Sequence, residues 1–141
     1  IMLEMKRVTR KGGFLVILAE PNYQSRKDEP PELRKVGELQ NQALQSLGAH
    51  LDMGKQVRSL FEKLQLQDIH VSMLKPTSMA YSPKKGLLEH QVIASDLQTL
   101  LTQGAISQEE FMTLKLQDEE AWQNGTRRLY IPTYFGWAKV P

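Results

Sequence analysis

The chain has 141 residues and a mass of 16.1 kDa, the size of one ordinary domain. Eighteen Lys and Arg against sixteen Asp and Glu leave a net charge of +2, too balanced for a dedicated nucleic-acid binder, which concentrates basic charge against phosphate. Hydrophobic residues make up 40% of a chain with no cysteine and no apolar run of ~18 residues, so a core can form, whereas disulfides, thiolate chemistry, cysteine-based zinc sites and membrane-spanning helices are excluded.

Apolar residues at Ile1, Met2, Met5 and Val8 have the spacing of one helix face and predict a helix over 1–9. Residue 1 is Ile, and the helical pattern is already under way there, which reads as a piece of a longer protein. Arg7, Arg10 and Lys11 gather where a helix C-terminus favours positive charge, and Gly12-Gly13 supplies the stop. Phe14 to Ala19 (FLVILA) is apolar without alternation, which predicts a strand buried on both faces in a mainly parallel sheet, with Glu20 at its C-terminal edge. Residues 21–31 are rich in Pro, Asn, Ser and charge and predict a loop.

Pro30 and Pro31 suit the opening of a helix whose stripe is Leu33, Val36, Ala43, Leu44 and Leu47, ended by Gly48. Asp52 is the expected cap of the next helix, carried by Met53, Val57, Leu60, Phe61 and Leu64. Ile69, Val71 and Met73 alternate with His70, Ser72 and Leu74, the pattern of a strand. A loop over Pro76–Gly86 leads to a helix over Leu87–Gly104 with Ile93, Leu97, Leu100 and Leu101 on one side. Ser107 and Glu110 fit a capping box for a last helix to about Gln123, ended by Asn124-Gly125. Its acidic residues Glu109, Glu110, Asp118, Glu119 and Glu120 read as a solvated face. Arg128 to Val140 is the final strand, with Pro132 and Gly136 marking a kink or bulge. The order predicts an α/β fold with three strands.

The stretch RVTRKGGFLVILAEPNY (Arg7 to Tyr23) resembles class I S-adenosylmethionine-dependent methyltransferases around their fifth strand, where a helix ends in a basic residue, Gly-Gly turns and an apolar strand closes on an acidic residue. The matched positions are Met5, Val8, Lys11, Gly12, Gly13 and Phe14 to Ala19. The ending YIPTYFGWAKV also resembles the closing strand of bacterial methyltransferases of this class. The resemblance implies the C-terminal part of a Rossmann-like methyltransferase sheet, in a single domain or domain fragment. Met53 to Leu64 would be the family's last helix, Ile69 to Leu74 its sixth strand and Arg128 to Ala138 its antiparallel seventh. The family's cofactor site lies in the first half of the fold, on a glycine-rich turn after the first strand and an acidic residue ending the second. Neither occurs here, because Gly12-Gly13 precede a strand. S-adenosylmethionine is therefore expected for the full-length protein and no cofactor for this chain alone, the N-terminal half being a missing partner.

Open α/β sheets collect ligands at the C-terminal edge of their strands. Glu20, as general base or orienting group, and Tyr23, stacked on substrate, are the candidate catalytic residues. Asn22, Arg26 and Asp28 are the candidate substrate-binding residues, Arg26 to hold an acidic group. The alternative is a loop network in which Arg26 pairs with Glu20 or Asp28 and stiffens the turn. By the resemblance, residues 81–125 would be a helical insertion before the last strand, either a lid over the substrate or a dimerisation or packing element, with a homodimer as a partner. His50, His70 and His90 share no ligand motif, so no metal site is expected, and Trp122, Tyr130, Tyr134, Phe135 and Trp137 read as core. With no secretory signal, the reading is a cytoplasmic protein with neither nucleic acid nor membrane as partner. The function expected is methyl transfer to an unknown acceptor; the alternative is a non-catalytic α/β interaction or dimerisation domain.

Overall fold

The computed structural model describes residues 1–75 and 83–141. The fold is α/β and divides into two compact units, between which the chain passes repeatedly. The first comprises Ile1–Ser25, Leu51–Lys75 and Ile131–Pro141; the second comprises Arg26–His50 and, among the described residues, 83–130. Five strands are present among the described residues, where three were expected.

In the first unit, helix α1 (Met2–Val8) leads to strand β1 (Phe14–Pro21), helix α3 (Met53–Lys63), strand β3 (Gln67–Met73) and strand β5 (Thr133–Lys139). The strands lie in the order β1-β5-β3, and both pairings are antiparallel. This corrects the expectation of a mainly parallel sheet. β1 and β3 do run parallel to each other, with α3 leading into β3, but the last strand enters between them and pairs with both. Helix α3 lies against all three strands through a core of Leu15, Val57, Phe61, Leu64, Leu66, Ala138 and Val140. Gly136 permits the close fit: a Cβ there would stand 2.6 Å from the His70 carbonyl oxygen and 3.3 Å from the Phe61 ring. Helix α1 contributes only Met2 to this core. On its exposed surface Arg7 donates to the Glu4 carboxylate, and that bond holds the Glu4 pKa below the ordinary value.

β1 is not buried on both faces. Leu15 and Ile17 point to the core, whereas Phe14, Val16 and Leu18 are 55%, 47% and 79% exposed. The continuous apolar run is thus an edge strand with apolar residues on its open side. The two edges of the sheet differ. Both edge strands carry a register irregularity against β5, β1 between Ile17 and Glu20 and β3 between Gln67 and His70, but β3 also carries Asp68 at φ 51, and a charge on an edge discourages strand addition. β1 has no charge from Phe14 to Ala19. Trp137, expected in the core, is 39% exposed and stacks on the His70 ring at 4.0 Å between centroids.

The second unit contains strand β2 (Lys27–Glu29), helix α2 (Arg34–Ser46), helix α4 (Pro83–Thr102), helix α5 (Gln108–Gln123) and strand β4 (Arg128–Tyr130). β2 falls inside the expected loop, because three polar residues carry no period-2 signal. It pairs antiparallel with β4, Lys27 opposite Tyr130 and Glu29 opposite Arg128. The single strand expected over Arg128–Val140 is thus two strands in two sheets, parted at Pro132, whose ring nitrogen has no hydrogen for a ladder. The helices share a core of Leu33, Val36, Ala43, Ile93, Leu97, Leu100, Ile106, Phe111, Leu114 and Ala121. Within the insertion expected at 81–125, residues 81 and 82 lie outside the described residues, as does most of the loop expected over Pro76–Gly86. Its helices α4 and α5 do not stand alone; they pack in one unit with α2.

Both expected caps occupy their positions, but only Ser107 bonds its helix's backbone, and the Glu110 carboxylate that would complete the capping box pairs with Lys35 instead. Ser107 Oγ accepts from the Glu110 backbone N–H at 3.1 Å. Ser107→Ala is expected to cost about 1 kcal/mol, as a lower urea midpoint with an unchanged m-value. Asp52 begins α3 without bonding its backbone, and its carboxylate accepts instead from Gln56 Nε2 at 2.8 Å.

Candidate functional site

The C-terminal edge of β1 is built within the first unit. Glu20 pairs with Tyr134 and Pro21 with Thr133 across the β1–β5 ladder. Helix α3 starts directly against this edge, since a Cβ on Gly54 would lie 2.7 Å from both the Glu20 carbonyl oxygen and Tyr134 Cδ2. After Pro21 the chain makes a 3-10 turn over Tyr23–Ser25. Asn22 ties that turn down. It is fully buried, its backbone N–H donates to the Pro132 carbonyl at 2.8 Å, and its Nδ2 donates to Ser25 Oγ at 2.9 Å. The Gln24 N–H donates to the Leu51 carbonyl at 3.1 Å, which fixes the far side of the turn. Asn22 Oδ1 is buried and has no hydrogen-bond partner among the described residues.

Glu20 and Tyr23 are half-buried beside this anchor. The Glu20 carboxylate makes no hydrogen bond or ion pair among the described residues. Three of the five expected residues, Glu20, Asn22 and Tyr23, therefore share the strand edge. Asn22 does so as an interior anchor and not as an exposed substrate contact.

Arg26 and Asp28 belong to the second unit, where they enter a buried ionic chain. Arg26 Nε and NH2 donate to the two Asp28 carboxylate oxygens at 2.7 and 2.9 Å, and its NH1 donates to Gln40 Oε1 at 2.6 Å. Gln40 Nε2 in turn donates to Asp96 at 2.7 Å. On the other side of Asp28 stands Arg127, the largest fully buried side chain of the described protein. Its NH2 donates to Asp28 Oδ1 at 2.7 Å and its Nε to Asp118 Oδ1 at 2.9 Å. Asp118 Oδ2 lies 3.0 Å from His90 Nδ1. Gly37 leaves room for the Arg26–Asp28 pair, because a Cβ there would run into the Asp28 carboxylate.

Each of the three guanidinium nitrogens of Arg26 donates internally, as in the loop-stiffening alternative, and the side chain is only 5% exposed. The chemistry of this chain of charges is self-satisfying: each carboxylate meets a donor, as buried charges require. Asp118 corrects the reading of the α5 acidic residues as a solvated face, since it is fully buried. Its position was available from the sequence. Phe111, Leu114, Asp118 and Ala121 follow one helix stripe, and His90, Ile93, Leu97 and Leu100 repeat the same spacing on α4. A titratable residue on a core stripe signals a buried partner, and here the two partners are each other.

Among the described residues no group of three or more His, Asp or Glu could hold a metal ion. No described helix is long and apolar enough to cross a membrane. No protein-family model matches the chain, and no curated protein matches it either.

Proposed function

We propose that the chain supplies the substrate side of a class I S-adenosylmethionine-dependent methyltransferase. The observation that carries this reading is the strand arrangement. β1 and β3 run parallel, the chain passing through β2, α2 and α3 between them, and the last strand lies antiparallel between the two, as befits a fifth, a sixth and an antiparallel seventh strand. The Gly-Gly turn of residues 7–23 leads into the first of these strands, which holds the apolar run and Glu20. The unguarded β1 edge supports the reading further, since a strand apolar on both sides suits the interior of a wider sheet.

The residues present do not fit the cofactor itself. The Gly12 N–H donates to the Val140 carbonyl and the Gly13 N–H to the Arg10 carbonyl, both at 2.9 Å, so neither amide is free to cradle a ligand. A Cβ on Gly13 would lie 2.7 Å from Thr9 Cγ2, which means that the close approach is to the chain's own turn. This turn also precedes β1, at the opposite end from Glu20. What the chain offers is acceptor chemistry: Glu20 takes the proton that an N–H or O–H acceptor must lose, and Tyr23 packs against the acceptor on a turn held by Asn22.

Calorimetry tests the reading. A polypeptide extended upstream of Ile1 is expected to bind S-adenosylmethionine, and the 141-residue chain to give no binding heat. In the extended enzyme Glu20→Gln is expected to lower turnover about 100-fold with unchanged cofactor affinity. Tight binding by the short chain, or none by the extended one, refutes the proposal. The second reading, a non-catalytic interaction domain, is favoured by the exposed Phe14, Val16 and Leu18. It predicts no cofactor binding by either polypeptide.

A further inference from the structure

We draw no further inference here: the strongest candidate, the open apolar side of the first unit's sheet where Phe14, Val16 and Trp137 lie exposed, is an unpartnered face, and nothing in the structure shows what covers it.

Discussion

Arg127→Met is expected to destabilise the second unit by about 3–5 kcal/mol, the range for removing one member of a buried ion group. The substitution keeps much of the side-chain volume but removes the cation that two buried carboxylates share, leaving Asp28 with Arg26 and Asp118 with His90. Asp118 and Asp28 both lose their shared cation, at side-chain exposures of 0% and 3%. The two backbone carbonyls that Arg127 NH1 reaches, those of Glu29 and Arg128, lose a donor as well. Arg127→Lys is expected to rescue little, because a single ammonium cannot span two carboxylates and two carbonyls as the guanidinium fork does. Urea denaturation followed by circular dichroism reads the effect. The exposed pair Lys35–Glu110 provides the contrast, and Lys35→Met is expected to change stability by no more than about 1 kcal/mol. A loss below about 1 kcal/mol for Arg127→Met would refute the central role assigned to the network.

Gly136→Val is expected to cost about 3 kcal/mol or more in the first unit, at the upper end of the overpacking range. The first added carbon already meets the His70 carbonyl oxygen at 2.6 Å, Val71 Cγ2 at 3.0 Å and the Phe61 ring at 3.3 Å. None of the three can yield cheaply. The carbonyl belongs to the strand paired with β5, with Val71 directly opposite Gly136, and Phe61 is fully buried at the centre of the core. Relief therefore requires β3 and β5 to part or α3 to lift, and either loses buried apolar contact. Amide hydrogen exchange would distinguish the two, the first exposing ladder amides of β3 and β5 and the second those of α3. A denaturation midpoint within error of the parent would overturn the argument.

Where side chains repeat with a local period, the elements were legible in the sequence. The stripes of α2, α3 and α5 and the alternation of β3 were all present before any long-range contact was considered. Ser107 with Glu110 announced a helix start because both partners of the cap lie within one turn. β1 was legible as a strand but not as an edge. FLVILA reports apolar character at every position, and only the sheet order decides whether both sides are covered. The three residues of β2 became a strand through β4, about a hundred residues away, and nothing in Lys27-Asp28-Glu29 alone favours pairing.

The candidate site divides in the same way. Glu20 at the end of an apolar run and Tyr23 in the following turn could be placed from the sequence, because strand and turn are both local. That Asn22 faces inward depends on Pro132, and that Arg26 and Asp28 are consumed internally depends on Arg127, 99 positions beyond Asp28. A charged residue looks solvated until its partner is known, since burial becomes tolerable only when an opposite charge and its hydrogen bonds arrive together.

The sequence by itself determined the α/β class, the chain positions of its main elements and the balance of charge, all of which follow from composition and short-range periodicity. The tertiary structure alone decided the strand order, the division into two units and the fate of each charge. These rest on pairings between residues far apart in the chain, and no local pattern encodes which distant partner completes a ladder or neutralises a buried carboxylate.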